Sequence, residues 1–328
     1  MSEKGVTKVA VVQAASAIFN IEKTMEKVVK LAKDAADAGA KLVLFPEAFL
    51  SGYPHFLDFG KPGATNSKAR DTFKRYFESS VDVPGPIVTQ LANIAKENKI
   101  FMVVGAIERA LSTLYCVTLF FNDEGQFLGK HRKLVPTTAE RLVWGRGDGS
   151  TLPVFDWPMG KVGAVICWEN YMPLVRMTMY SKGIQIYLAP NADDTDGWLH
   201  SMQHIALEGR CFVLACNQFI RKSDYPADLV GKVDCENDIV CRGGSVIVNP
   251  LGEILAGPNY TSEEILYATI DIGDVIKGKF DLDTVGHYSR PDIFALTVNE
   301  KEQANVTINR AQSEDSVQTS LKNINLSQ

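Results

Sequence analysis

The chain reads as an α/β protein: one domain whose sheets are covered by helices, built from two loosely similar halves. Three observations predict this. Short apolar strands of the kind buried on both faces recur, as at Lys41–Phe45 and Val162–Ile166. Stretches with helical spacing alternate with them. Antiparallel signals then close the pattern near the C-terminal end. The likeness of the halves lies in element order, not in residue identity.

Lys8–Ala14 is a first strand. Asn20 is a suitable N-cap, with Glu22 in the first turn where it complements the helix dipole. Met25, Val28, Val29, Ala32, Ala35 and Ala36 form one apolar stripe, and Gly39 ends the helix. Lys41–Phe45 follows, completing a β-α-β unit with the right-handed crossover such units adopt. Residues 52–80 are irregular and aromatic-rich (Tyr53, Phe56, Phe59, Phe73, Tyr76, Phe77), with helical character from Ser67 onward; such a loop beside a strand end is expected to wall a pocket. Pro84-Gly85-Pro86 starts a helix carrying Ile87, Leu91, Ile94 and Ala95. Strands are expected at 100–106 and 115–121. A hairpin turn at Asn122-Asp123-Glu124-Gly125 sends the chain back through Gln126 to His131-Arg132-Lys133. After 162–166 come a helix opened by Pro173 (173–182), a strand (184–189), a helix (198–208) and a strand (211–217). Strands at 245–249 and 265–271 flank the turn Pro250-Leu251-Gly252. Residues 1–300 are expected to form the folded domain. Residues 301–328 are polar and rich in Ser, Asn and Gln, a tail that is disordered or draped over a partner.

Composition excludes several classes. With 328 residues, 45 % hydrophobic and 22 % charged, the chain is an ordinary globular protein. A net charge of -5 leaves no basic footprint for nucleic acid. No apolar run approaches the ~20 residues that span a bilayer, and the N-terminus leads into a strand without a signal-like apolar region. Six cysteines, none in a Cys-x-x-Cys pair, are too sparse for a disulfide framework, which points to a reducing, cytoplasmic setting. Asn259, Asn305 and Asn325 match the glycosylation pattern and are expected to do so by chance.

Three polar residues each follow an apolar strand: Glu47, Lys133 and Cys167. In α/β sheets the loops beyond strand C-termini gather around the ligand crevice. If the three strands are neighbours, a carboxylate, an ammonium and a thiol converge there. A thiol is nucleophilic as thiolate, and a nearby cation lowers its pKa. A carboxylate can take the thiol proton and later activate water, and the ammonium can stabilise negative charge developing on a substrate. Taken singly, Cys167 reads equally as a small buried hydrophobe, and Glu47 with Lys133 as a solvated pair at a sheet rim.

The segments Phe45-Pro46-Glu47-Ala48-Phe49, His131-Arg132-Lys133-Leu134-Val135-Pro136-Thr137 and Val165-Ile166-Cys167-Trp168-Glu169-Asn170-Tyr171-Met172-Pro173 resemble, in order and spacing, the three catalytic motifs of the nitrilase superfamily. The resemblance extends over roughly residues 7–298, including Trp144–Gly149 and His287–Asp292. It implies an α-β-β-α sandwich, two layers of helices over two mixed β-sheets, and a hydrolase with no metal or organic cofactor. Carried over by position, it implies Cys167 as nucleophile, Glu47 as general base, Lys133 as electrostatic stabiliser, and Glu140 as a further glutamate orienting the lysine or substrate. Tyr53, His55, Trp168 and Asn191 are the candidate substrate-binding residues, with Trp168 offering an apolar wall suited to a linear cyano group and His55 lining the pocket. Homodimers, or larger homo-oligomers including spirals of dimers, are its implied assemblies, with the Met172–Tyr180 helix and the tail as contacts.

Cys167-Trp168-Glu169-Asn170-Tyr171-Met172-Pro173 and Gly52-Tyr53-Pro54 are similar to true nitrilases, which convert an organic nitrile to the carboxylic acid and ammonia through a thioimidate and an acyl-thioester. An amidase or carbamoylase with the same triad, release of the amide as a nitrile hydratase would, and a catalytically silent scaffold are the rival readings. Other signals are weaker. His200 and His204 stand at i, i+4 but lack the intervening Glu of a zinc protease motif. Asp193, Asp194 and Asp196 lack the position-12 glutamate of a calcium loop and read as a loop near the active site. Arg146-Gly147-Asp148 reads as a turn.

Overall fold

The computed structural model describes residues 5–55, 59, 67–231, 233, 235–304, 306 and 308. Phe56, the stretch 60–66 and the tail from 309 onward lie outside the described residues. In chain order the first half comprises β1 (Val6–Gln13), α1 (Ile21–Asp37), β2 (Leu42–Leu44), α2 (Ser67–Glu78), α3 (Pro86–Asn98), β3 (Phe101–Ala110), β4 (Thr113–Phe121) and β5 (Phe127–Arg132). The second half comprises β6 (Val154–Trp157), β7 (Gly160–Ala164), α4 (Pro173–Ser181), β8 (Ile186–Pro190), α5 (Asp196–Gly209) and β9 (Phe212–Cys216). It continues with β10 (Phe219–Arg221), α6 (Ala227–Val230), β11 (Ile239–Arg242), β12 (Ser245–Val248), β13 (Ile254–Asn259), β14 (Glu264–Asp271) and α7 (Gly273–Gly278).

Local chemistry sets several boundaries as expected. Asn20 caps α1 by accepting the Lys23 N–H, and Gly39 leaves the helix at φ 88°. Gly125 takes the left-handed conformation that the β4–β5 hairpin requires.

Two six-stranded mixed sheets result, ordered β14-β1-β2-β3-β4-β5 and β13-β12-β9-β8-β7-β6. From β14 in one and β6 in the other, the pairings run antiparallel, parallel, parallel, antiparallel, antiparallel. The two halves therefore do repeat one topology. Strand residues alternate between two cores, as the period of two demands. Val9, Val11, Leu42, Leu44 and Phe120 pack between the sheets against Val162, Ile186, Leu188 and Leu214. Ala10, Val12, Val43 and Val104 pack outward against α1 and α3; Val165, Tyr187, Ala189 and Val213 do so against α4 and α5. The layers are helix, sheet, sheet, helix. Strands β6, β10, β11 and β13 were not legible in the sequence. They are three to six residues long, and β13 is a half-exposed edge strand carrying Pro258, which an edge tolerates.

Candidate active site

The strands leading to Glu47, Lys133 and Cys167 are not neighbours, which corrects the simplest expectation. β2 and β5 belong to one sheet with β3 and β4 between them, and β7 belongs to the other. Because β3 runs parallel to β2 while β4 and β5 each reverse direction, β2 and β5 end at the same edge. The three side chains are brought together across the sandwich.

The backbone at two of these strand ends is strained. Ala48, after Glu47, and Cys167 itself have φ of 50° and 52°, a conformation that costs a non-glycine residue of order 1 kcal/mol and tends to cluster at functional sites. At Glu47 the chain presses onto β3, where a Cβ on Gly105 would stand 2.0 Å from the Pro46 carbonyl oxygen; only glycine fits. Gln218 donates to the Glu47 carbonyl at 3.0 Å from the second sheet. Cys167 starts a one-turn 3-10 helix (Cys167–Tyr171) directly after the extended Val165 and Ile166. Asn170 clamps that turn by donating to the carbonyls of Cys167 (2.7 Å) and Val165 (3.0 Å).

Lys133 Nζ lies 2.7 Å from both Glu47 Oε1 and Glu140 Oε2, all three side chains being buried. Glu140 also accepts from the Tyr53 hydroxyl (2.5 Å) and the Thr137 N–H (2.6 Å). Trp144 places its ring 5.4 Å from the ammonium. Burial pushes the Glu47 carboxyl up to about 7, against the pull of Lys133 and with the push of Glu140. Burial alone would lower the Lys133 pKa, but Glu47, Cys167 and Glu140 hold it well above the ordinary lysine range. Burial and Glu47 hold the Cys167 thiol well up, overriding Lys133 and the Ala192 N–H that hydrogen-bonds it. The expected lowering of the thiol pKa by a cation is thus reversed: the resting sulfur is protonated beside a carboxylate able to take the proton.

Tyr53 and His55 line a cleft of about 270 Å³ with Phe59, Thr138, Glu140 and Leu142. Cys167 packs in one cluster with Tyr53, Phe59 and Trp144. Burial lowers the His55 pKa to about 4, so its ring is neutral at physiological pH. Trp168 is 47 % exposed at the rim; its indole N–H donates to Asp193 (2.9 Å), so the aspartate loop does reach the site. The Asn191 side chain does not turn outward: its amide donates to the Ala189 and Cys216 carbonyls and accepts the Asp193 N–H. It shapes the loop that carries Ala192. His204 pairs with Glu208 at 2.8 Å on the exposed side of α5; Arg146-Gly147-Asp148 is not the expected turn but an irregular segment whose Gly147 N–H donates to the distant Lys133 carbonyl.

Sequence reasoning missed four contributing residues. The Cys116 thiol lies 3.5 Å from Glu47 Oε1, the Ala192 N–H meets the sulfur, and Glu169 with His131 forms a buried pair at 2.9 Å. Glu169 and His131 both sit inside the motifs, so position within a motif was the available signal.

Residues 8–280 match the carbon-nitrogen hydrolase family. A bifunctional nitrilase/nitrile hydratase of Nicotiana tabacum is 51 % identical over 299 residues, covering 89 % of this chain and 86 % of that protein. Nitrilase 1 of Arabidopsis thaliana is 50 % identical (92 % and 89 % covered), and a nitrilase of Bradyrhizobium diazoefficiens 51 % (92 % and 94 %). Among solved structures, a carbon-nitrogen hydrolase of Helicobacter pylori shares the fold with a TM-score of 0.67 at 23 % identity, covering 84 % of this chain and 93 % of that one. A nitrilase-superfamily member of Saccharomyces cerevisiae also reaches 0.67 at 23 % identity, with 87 % and 97 % covered. With its sandwich fold and sequence identity of about half to named nitrilases, the chain belongs to the carbon-nitrogen hydrolase family, in its nitrilase branch.

Proposed function

We propose that this protein hydrolyses an organic nitrile to the carboxylic acid and ammonia, with Cys167 as nucleophile, Glu47 as general base, Lys133 as electrostatic stabiliser and Glu140 orienting the lysine. The observation that carries the reading is the protonated Cys167 thiol beside a Glu47 carboxyl whose affinity for protons is raised. Glu47 Oε2 is buried and has no hydrogen-bond partner among the described residues, so it can receive the proton.

As sulfur bonds to the nitrile carbon, the thiol proton passes through Glu47 to the nitrogen, giving a thioimidate. A water activated by Glu47 adds to that carbon, and its proton converts the nitrogen into a leaving amine. Loss of ammonia leaves a thioester. A second water adds, the carbon–sulfur bond breaks, and the acid departs as Cys167 regains its proton. Two waters and one nitrile balance one acid and one ammonia. Lys133 would face the charge that develops on the substrate, while the Ala192 N–H holds the sulfur; removing a donor to the developing charge typically costs ~3 kcal/mol in the barrier.

Tyr53, His55 and Trp168 would contact substrate, while Asn191 would act through Ala192. If the carbon–sulfur bond of the first tetrahedral intermediate breaks before ammonia leaves, the amide is released. The double name of the tobacco relative favours keeping this second outcome. An amidase or carbamoylase remains the alternative reading. Ammonia release and product analysis from a nitrile panel and the matching amides test the assignment. Turnover of nitriles that vanishes in a folded Cys167→Ala variant supports it; cleavage of amides alone overturns it.

We further propose a homodimer or larger homo-oligomer. Supporting it are the exposed Leu174 of α4 and, beyond α7, the exposed Phe280, Tyr288, Ile293 and Phe294; light scattering after size exclusion tests it. Residues 1–300 are proposed as the catalytic domain and the rest as its tail, to be tested by truncation. All six cysteines are free and no helix among the described residues is long and apolar enough to cross a membrane; both fit a cytoplasmic setting, which cell fractionation tests.

A further inference from the structure

One buried carboxylate ties the Lys133 segment to the Cys167 turn. Glu169 sits at the third position of the 3-10 turn and folds back so that Oε2 accepts the Ile166 N–H at 2.8 Å. Its other oxygen, Oε1, reaches across the sandwich to accept the Leu134 N–H at 2.5 Å. Ile166 precedes Cys167 and Leu134 follows Lys133. A single rigid group is thus bonded to the main chain beside each of two reacting side chains that come from different sheets.

His131 completes the arrangement from β5, its Nε2 lying 2.9 Å from Glu169 Oε2 and its Nδ1 hydrogen-bonded to the Thr151 carbonyl. A carbonyl oxygen can only accept, and the Glu169 oxygens already accept two backbone N–H groups. Nδ1 therefore carries hydrogen toward the Thr151 carbonyl, and one further proton is held between Nε2 and Glu169 Oε2. The upward shift of His131 agrees: burial opposes it, and Glu169 outweighs burial. Glu169 and His131 are both essentially inaccessible to solvent, so the three donors converging on the carboxylate have no water to turn to. No such network is needed for packing alone, since apolar side chains would fill the same space without a buried ion pair.

We infer that Glu169, charge-balanced by His131, is a positioning residue that sets the separation of Lys133 from Cys167. It touches neither substrate nor the reacting atoms. The inference rests on the catalytic roles proposed above for those two residues.

Glu169→Gln tests it, because an amide offers one acceptor oxygen and turns an NH2 donor toward N–H groups. The rates of ammonia release from one nitrile are compared with wild type and with Cys167→Ala, well below each variant's melting temperature. The expected result is a kcat lowered about 10²-fold, the scale of a misplacement near 1 Å, with KM within about threefold of wild type. A folded Glu169→Gln enzyme with wild-type kcat, or one whose loss is wholly in KM, overturns the inference. Should that variant not fold, His131→Gln is the second probe: it leaves both Glu169–backbone bonds and removes the balancing charge. It is expected to lower kcat about tenfold with KM unchanged, and wild-type kcat in it overturns the inference. An active Cys167→Ala would instead overturn the catalytic assignment itself, whatever Glu169→Gln does.

Discussion

Lys133 and Glu140 are seven residues apart, on opposite sides of a turn, yet Nζ and Oε2 stand 2.7 Å from each other in the protein interior. The ammonium is shared between this carboxylate and that of Glu47 at the same distance. Burial raises the proton affinity of Glu47; Lys133 opposes that rise and the second carboxylate, Glu140, adds to it.

The pH dependence follows from that raised affinity. With Glu47 pushed up to about 7, kcat/KM is expected to fall below pH 7 as the proposed base takes a proton. Glu140→Gln removes a repelling charge and leaves Lys133 wholly to Glu47, and both effects lower the Glu47 pKa. The acidic limb should move to lower pH while kcat drops. A pH–rate profile checks this, and a limb that moves upward contradicts it. The stability sign is separate: the folded protein binds a proton at Glu47 that the unfolded chain releases. Its contribution is full below the ordinary value of 4.5 and is lost as pH rises through about 7.

Tyr53→Phe deletes the 2.5 Å hydrogen bond to Glu140 Oε1 without changing ring packing against Trp144, whose centroid lies 5.7 Å away. Losing one bond to a charged acceptor is expected to cost about 1.5–3 kcal/mol. The loss should appear in thermal unfolding and as a reduced kcat/KM. A variant as stable and as active as wild type would show that Glu140 is held by Lys133 and Thr137 alone.

Gly105→Ala places a methyl 2.0 Å from the Pro46 carbonyl oxygen. The Glu47 backbone must retreat from β3, an overpacking expected to cost about 1–3 kcal/mol. Displacing the proposed base is expected to cost on the order of 10²-fold in kcat. Denaturant unfolding and steady-state kinetics read the two effects. Unimpaired kcat would mean that Glu47 is placed by Gln218 and Lys133 rather than by this contact.

Cys116→Ala removes a thiol 3.5 Å from Glu47 Oε1. An S–H group is a weak donor, so a kcat change of only about threefold is expected. Its informative signature is direction: losing a donor to the carboxylate raises the Glu47 pKa, so the acidic limb should move up in pH, opposite to Glu140→Gln. Equal limbs in wild type and variant would remove Cys116 from the site's electrostatics.

Local chemistry made much of the protein legible from its residues alone. The cap at Asn20, the Asn122–Gly125 turn and the apolar strands near Val43 and Val162 announce themselves through neighbours in sequence, as does the turn at Cys167. Glu47, Lys133 and Cys167 could be named because each follows such an element, whereas Glu140 could be named only through the family resemblance. Short edge strands such as β13 could not, since partial exposure leaves them no hydrophobic alternation to read.

What the sequence by itself determined is therefore the parts: which elements form, in what order, and which polar groups stand at their ends. Tertiary structure alone decided that β2, β5 and β7, from two different sheets, point those groups at one place. It also decided that burial with Glu47 keeps the thiol protonated where a cation alone would have ionised it, and that Glu169 bonds to both Leu134 and Ile166. The physical reason is range. Capping and periodicity act over one or two turns of chain, whereas desolvation and charge coupling depend on which distant segments share the same low-dielectric interior.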